Sequence, residues 1–99
     1  MELVTTAFPP SSAGWPASRA GAVLSIDLAA LAANYRLVAG QAAGAVCAAV
    51  VKADAYGLGV AQVAPVLEQA GARQFFLAHV DEGLDLRAHA SAVAGITAL

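Results

Sequence analysis

The feature that most constrains this fold is a continuous apolar run, AVCAAVV, at residues 45–51. It shows no alternation of polar and apolar side chains, and such runs are typical of strands buried on both faces of a parallel sheet. Apolar residues at helical spacing lie on either side of it, at residues 28–38 and 60–67. Because strands that alternate with helices form βαβ units, this order predicts an α/β fold with a parallel sheet.

About three strand-helix units are predicted, followed by the start of a further strand. The strands expected, in order, are AVLSID (22–27), AVCAAVVK (45–52), QFFLAHV (74–80) and the beginning GITAL (95–99). Asp27 and Asp81 stand where the first and third helices would have their N-caps, because such side chains accept hydrogen bonds from the first turn. Pro65 interrupts the second helical segment, so that helix is expected to begin near Ala64 or to bend there.

The chain divides into a leader and a folded part. Residues 1–21 contain three prolines and no periodicity, so they are expected to be a flexible leader before residues 22–99. Twenty-seven of the 99 residues are alanine, so the 60% hydrophobic content supplies less buried area than it suggests. A sheet of so few strands also keeps an open edge. We therefore expect these residues to be a fragment of a larger domain.

Composition and charge exclude several classes of protein. Low charge and high apolar content exclude a disordered chain. The net charge of −2, from evenly spread side chains, gives no electrostatic footprint for nucleic acid. The uncharged run between Arg36 and Lys52 has fifteen residues, whereas a membrane span needs roughly 20, so no membrane segment is expected. The N-terminus has no basic region before its first apolar residues, so no secretory signal is expected. The lone Cys47 cannot form an internal disulfide and indicates a reducing compartment such as the cytoplasm.

Lys52 is the only lysine in the chain and directly follows the predicted buried strand. Parallel α/β folds place ligands and catalytic groups at the carboxyl ends of their strands. An apolar strand end disfavours the charged form of an amine, and a neutral amine can attack a carbonyl carbon to form a Schiff base. Lys52 is therefore a candidate site residue, although a lysine also stands at such a position simply where the chain returns to water.

Other kinds of site fit the sequence less well. Gly57 and Gly59 follow the strand as in a dinucleotide-binding loop, but Gln62 takes the place of the third glycine. A phosphate site at the helix N-terminus beyond these glycines stays open, because the free amides and the helix dipole there favour an anion. His79 and His89 lie about one helix apart and lack a third convergent ligand, which argues against a zinc site. No metal ligand is therefore predicted.

The segment AVVKADAYGLG at residues 49–59 closely resembles the lysine motif of alanine racemases, enzymes that use pyridoxal 5'-phosphate (PLP). Two flanking segments agree with that family in order and spacing. SIDLAALAANYRLV (25–38) resembles the family's opening helix, and FFLAHVDEGLDLR (75–87) resembles a segment that ends in Glu and Leu-Arg. The similarity covers residues 22–99, and Leu58 stands where the family usually has histidine.

The resemblance implies a fold and a site. The fold is the N-terminal part of a PLP-binding (β/α)8 barrel of the TIM type, with the rest of the barrel and a C-terminal β domain outside these residues. For the first predicted strand, around residues 23–26, the resemblance leaves two places open: the barrel, or pairing with that β domain. Lys52 would hold the cofactor covalently and act as one of two catalytic bases that exchange the α proton of alanine. Tyr56 would contact the cofactor phosphate. The second base would be a tyrosine of the partner chain in a homodimer.

The activity implied is the interconversion of L-alanine and D-alanine by a cytoplasmic isomerase that supplies D-alanine for peptidoglycan precursors. The 99 residues alone are expected to be inactive, because the second base and most cofactor contacts would lie elsewhere. Two alternatives stay open: a non-catalytic, PLP-carrying regulatory barrel and a racemase for another amino acid such as serine. The sequence AYG at residues 55–57 favours a racemase, because the lysine motif of such carriers usually lacks it.

Overall fold

The computed structural model describes residues 3–8, 17–19 and 21–99. Its elements, in chain order, are β1 (Leu3–Phe8), a 3-10 turn (Ala17–Arg19), β2 (Ala22–Asp27), α1 (Leu28–Gln41), β3 (Ala49–Val50), α2 (Lys52–Tyr56), α3 (Val60–Gln69), β4 (Gln74–Leu77), α4 (Val80–Arg87) and β5 (Gly95–Ala98). The predicted alternation of strands and helices is confirmed from residue 22 onward.

Strands β3, β4 and β5 form a parallel sheet in that order. Ala49 pairs with Phe75, and Phe75 pairs with Ile96, so neighbouring strands are also consecutive along the chain. A helix joins each strand to the next, which is the connection that parallel strands require. The architecture is therefore the partial barrel-like α/β unit that the sequence predicted.

Strand β3 is shorter than the predicted strand at residues 45–52. Its ladder with β4 extends one residue further through the Val51 N–H, which donates to the carbonyl of Phe76 at 2.8 Å. The residues before Ala49 are held differently, because the carbonyl of Cys47 accepts a hydrogen bond of 2.7 Å from the Tyr35 hydroxyl of α1. Hydrophobicity predicted the position of the strand but not its length, since apolar residues also pack outside a ladder.

Strand β2 does not belong to the parallel sheet. It pairs antiparallel with β1, from Leu3 opposite Asp27 to Phe8 opposite Ala22. The assignment of β2 to the first of three parallel units therefore needs correction, and residues 3–8 form a strand where a leader was expected. The β-branched residues of LVTTAF favour a strand, but a segment this short shows no clear periodicity. Of the other residues of the predicted leader, only 17–19 and 21 are described.

The hydrophobic core lies between the parallel sheet and its helices. The largest fully buried side chains are Phe75 and Leu77 of β4 and Leu86 of α4. The predicted apolar face of the second helix is confirmed, because α3 buries Val63, Ala64, Val66 and Leu67. Burial alternates along β3: Val50 is 43% exposed, whereas its neighbours Ala49 and Val51 are buried.

Two helix starts were predicted from capping residues. Asp27 is the N-cap of α1, as expected, and its carboxylate accepts a hydrogen bond of 3.0 Å from the Ala30 N–H. Asp81 is not the N-cap of α4, which begins at Val80 after His79. The physical reason is Glu82, whose carboxylate accepts a hydrogen bond of 2.7 Å from the His79 N–H and so moves the start of the helix toward the N-terminus.

Of the two outcomes expected at Pro65, a helix start near Ala64 is wrong, because α3 begins at Val60. It extends from Val60 to Gln69 with the proline inside it, rather than starting near Ala64. Proline removes one N–H donor from a helix interior. The buried face of α3 offsets this cost, since packing of an apolar face supplies most helix stability in proteins.

Candidate functional site

Lys52 lies at the carboxyl end of β3, where the sequence predicted a site residue. Its side chain is exposed, so the apolar surroundings that the sequence suggested for its amine are not present in the described residues. Its Nζ lies 5.8 Å from the centroid of the Tyr56 ring. A cation at this distance from a ring centroid is attracted to the ring face. The structure therefore brings together the two residues for which the sequence predicted cofactor contacts.

The backbone after Lys52 has an unusual conformation. Positive φ angles of +52°, +54°, +56° and +57° occur in succession at Ala53, Asp54, Ala55 and Tyr56. We call these four residues the left-handed turn, because this is the geometry of a left-handed helix. It costs an L-residue roughly 1–2 kcal/mol, so a run of four persists only where the surrounding structure holds it.

Backbone hydrogen bonds close the left-handed turn. The Gly57 N–H donates to the carbonyl of Ala53 at 2.9 Å, and the Gly59 N–H donates to the carbonyl of Asp54 at 2.9 Å. Ala55 is buried, with 3% of its surface exposed. The turn is thus fixed from inside, and its helical spacing brings Lys52 and Tyr56, four residues apart, to one side.

The Glu82 carboxylate joins the left-handed turn to the loop between β4 and α4. Its Oε1 accepts a hydrogen bond of 2.7 Å from the Ala53 N–H. Its Oε2 accepts from the N–H groups of His79 at 2.7 Å and Ala78 at 3.1 Å. The bonds from His79 and then Ala53 hold the pKa of the Glu82 carboxyl below its usual value of 4.5.

By sequence alone, Glu82 is only an acidic residue in the first turn of α4, where the helix dipole favours a negative charge. Its bond to Ala53 could not be anticipated, because the two residues are 29 positions apart. The one available signal was that Glu82 belongs to the segment 75–87, which resembles the same family as the lysine motif.

A cavity of about 340 Å³ lies beside the left-handed turn. Its lining combines apolar and acidic side chains: Val51, Asp54, Val60, Leu77, Glu82, Asp85 and Leu86. Neither Lys52 nor Tyr56 lines it, so it is not the space next to the amine. Two of its carboxylates already accept backbone hydrogen bonds, Asp54 from Val60 and Glu82 as described above.

Other candidate residues have structural positions. His79 is the N-cap of α4, and His89 lies just after that helix. Across residues 3–8, 17–19 and 21–99, no group of three or more His, Cys, Asp or Glu side chains could hold a metal ion. The same residues include no helix with the length and hydrophobicity needed to cross a membrane.

Comparison with known proteins decides the family. The model of the family described as "Alanine racemase, N-terminal domain" matches residues 26–98, which include Lys52, the left-handed turn and Glu82. The chain belongs to this alanine racemase family. The resemblance that the residues around Lys52 predicted is confirmed.

Alanine racemases from several bacteria are similar to this chain. The alanine racemase of Methylobacterium nodulans is 65% identical over 68 residues, which are 69% of this chain and 18% of that protein. The catabolic alanine racemase of Agrobacterium fabrum is 55% identical over 76 residues, which are 77% of this chain and 20% of that protein. The chain thus spans about a fifth of the length of these alanine racemases.

A solved alanine racemase has the same fold. The crystal structure of the Bartonella henselae enzyme, with covalently bound pyridoxal phosphate, superposes with a TM-score of 0.73 at 49% identity. The match covers 75% of this chain and 21% of that one. The predicted fold class, part of the alanine racemase barrel, is confirmed by this neighbour.

Proposed function

We propose that the protein to which these residues belong is a PLP-dependent alanine racemase, an isomerase that interconverts L-alanine and D-alanine. The observation that carries the proposal is the exposed amine of Lys52, 5.8 Å from the Tyr56 ring at the end of β3. These residues lie within the stretch that the alanine racemase family model matches. Strand ends of parallel sheets are where α/β enzymes bind their ligands.

The side chains at this position suit PLP. A primary amine such as that of Lys52 forms a covalent bond with an aldehyde, and the Tyr56 hydroxyl can donate a hydrogen bond to a phosphate oxygen. Both side chains are exposed, so a cofactor can reach them without disturbing the core. The Bartonella henselae relative is described with the same cofactor covalently bound. We assign covalent attachment to Lys52 and phosphate contact to Tyr56.

PLP, when bound, supplies a conjugated ring that delocalises the electrons left on the α carbon after its proton departs. Lys52 is the catalytic residue of this chain: once the amino group of alanine has replaced it on the cofactor, its freed Nζ would remove or return the proton at Cα from one face. Racemisation needs a base on each face, and the family resemblance assigns the second to a tyrosine of the partner chain in a homodimer. The left-handed turn contributes by fixing the direction from which Nζ acts.

We infer that the enzyme is cytoplasmic and supplies D-alanine for peptidoglycan precursors, as the family resemblance implies. The free thiol of Cys47 is compatible with a reducing compartment. Expression of the intact protein in a bacterium that requires added D-alanine should remove that requirement. Continued dependence on D-alanine, with the protein present and folded, would contradict this role.

Borohydride trapping at Lys52 tests the cofactor assignment in the intact protein. Trypsin cleaves after arginine and unmodified lysine, so PLP reduced onto Lys52 yields a peptide of residues 37–73. Unmodified protein yields residues 37–52 and 53–73 instead. Lys52→Arg keeps the positive charge but cannot form the bond, so we expect it to lose racemisation and the borohydride-trapped PLP measured on the undigested protein. Covalently attached PLP that persists at the wild-type level in undigested Lys52→Arg refutes the assignment.

The phosphate contact of Tyr56 has its own test. Tyr56→Phe keeps the ring beside Lys52 and removes only the hydroxyl. We expect weaker binding of PLP and unchanged binding of pyridoxal, which lacks the phosphate. Tyr35→Phe is the matched control, because the Tyr35 hydroxyl donates to the carbonyl of Cys47 and not toward the lysine. Equal weakening for both ligands would show that the Tyr56 hydroxyl acts on a part of the ligand other than the phosphate.

A further inference from the structure

We propose that Glu82 is a positioning residue for Lys52, because its carboxylate holds the left-handed turn that directs the amine. The inference rests on the proposed function, since it concerns the same lysine. Glu82 is on α4, 30 positions from Lys52 in the sequence. It acts through the backbone of Ala53 and does not contact the reacting atoms.

The hydrogen bonds of Glu82 reach two separate parts of the fold. Oε1 accepts from the Ala53 N–H, the first amide of the left-handed turn, at 2.7 Å. Oε2 accepts from Ala78 and His79, which connect β4 to α4. One side chain thus ties the end of β3 to the end of β4, the neighbouring strand of the sheet.

A carboxylate is the group that this arrangement requires. It is an acceptor at both oxygens, so it satisfies three N–H donors that approach from two directions. An amide has one acceptor oxygen and one NH2 group, so Glu82→Gln must turn its NH2 toward either Ala53 or the loop before α4. Hydrogen bonds to a charged acceptor are also stronger than those between neutral groups.

The conformation that Glu82 holds is unfavourable by itself. The left-handed turn places four residues other than glycine at positive φ. Such a run needs contacts that over-determine it, and Glu82 is the side chain that binds the amide next to Lys52. If this contact is lost, the backbone bonds inside the turn remain, but the amide next to Lys52 is no longer fixed to the loop between β4 and α4, and the amine loses its fixed direction.

Two variants of the intact, PLP-loaded protein separate positioning from helix capping. Glu82→Gln removes the charge, and Glu82→Asp keeps a carboxylate at the start of α4 but is one methylene shorter toward Ala53. Asp81→Asn is the control, because it removes an exposed charge one residue away on the same helix. The readouts are trapping at Lys52, the circular dichroism induced in the cofactor absorption band, and kcat and KM for alanine.

We expect both Glu82 variants to keep the far-ultraviolet circular dichroism and the trapped peptide of residues 37–73. The induced circular dichroism should be mostly lost, because it depends on a fixed cofactor orientation, whereas a helix cap alone would not change it. We expect kcat to fall about ten- to a hundredfold with little change in KM, the size of effect that misplacement of a reacting group produces. Asp81→Asn should resemble wild type in every readout.

The outcomes are distinct. If Glu82→Asp has the induced circular dichroism and the kcat of wild type, the positioning role is overturned and Glu82 is only a helix cap. This result is decisive even if Glu82→Gln does not fold. Equal losses in Asp81→Asn would overturn it as well, since they would reflect charge on α4 rather than the bond to Ala53. Absence of the trapped peptide in wild-type protein would instead refute the proposed function, and this inference with it.

Discussion

Asp54 Oδ1 accepts a hydrogen bond of 2.8 Å from the backbone N–H of Val60, the first residue of α3. Gly59, the residue before the helix, has no side chain that can cap it. Asp54 therefore caps α3 from within the left-handed turn, six positions earlier. The turn that carries the site and the helix that packs against the sheet are joined by this one carboxylate.

The Asp54 cap predicts a difference between two substitutions. Asp54→Ala should lower the free energy of unfolding by about 1 kcal/mol, the usual effect of removing a capping side chain. Asp54→Asn keeps an oxygen that can accept from Val60 and should cost much less. Urea unfolding of the purified protein gives both values. If alanine and asparagine destabilise equally, the carboxylate charge and not the cap is what matters at this position.

The left-handed turn predicts that glycine stabilises one position of the chain. Ala53 is exposed at φ +52°, so Ala53→Gly removes a left-handed penalty of roughly 1–2 kcal/mol against a glycine entropy cost of about 0.5–1 kcal/mol. Ala33, exposed within the right-handed helix α1, is the matched control, where glycine should destabilise by about 1 kcal/mol. The shift of the thermal midpoint should therefore have opposite sign at the two positions. Destabilisation at both would mean that Ala53 carries no strain.

Much of the fold could be predicted from apolar patterns. The helical spacing at residues 60–67 predicted the face that α3 buries, and the apolar run before Lys52 predicted a strand at the correct place. These features are local, because a few neighbouring side chains determine which face is buried. The antiparallel pairing of β2 with β1 was not predicted. Strand pairing depends on residues that are distant in sequence, and β1 lies in a segment without a clear hydrophobic pattern.

The candidate site was only partly predictable for the same reason. Lys52 and Tyr56 belong to one motif and were identified by their order in the sequence. The left-handed turn was not, because alanine gives no signal for positive φ, a single aspartate gives a weak one, and glycine is the usual indicator. Glu82 reaches the turn from another helix, and such a long-range contact to a backbone amide leaves no pattern along the chain.

The lowered pKa of Glu82 predicts sensitivity to acid. Hydrogen bonds from His79 and Ala53, with a smaller effect of the His79 charge, favour the charged carboxylate in the folded protein. Its folded pKa therefore lies below the ordinary value of 4.5, so its contribution to stability is present above pH 4.5 and is lost as the pH falls through the lowered value.

Urea midpoints measured from neutral pH down to below pH 4 test this sign. The midpoint should fall with acidification, and Glu82→Gln should reduce the part of that fall which belongs to this residue. A pH dependence that is the same with and without Glu82 would show that its carboxyl is not coupled to folding.

The core predicts a large effect at Phe75, which is fully buried in the central strand β4. Phe75→Ala should cost about 3–5 kcal/mol in unfolding free energy, because it removes a large buried side chain and leaves a cavity. Val93, 83% exposed, is the control, and Val93→Ala should change stability by no more than about 0.5 kcal/mol.

Phe75 also pairs with Ala49 in β3, three residues before Lys52. The Phe75→Ala protein that remains folded should therefore trap PLP at Lys52 less efficiently than wild type, and trapping at the wild-type rate would show that the lysine site is held independently of this part of the core.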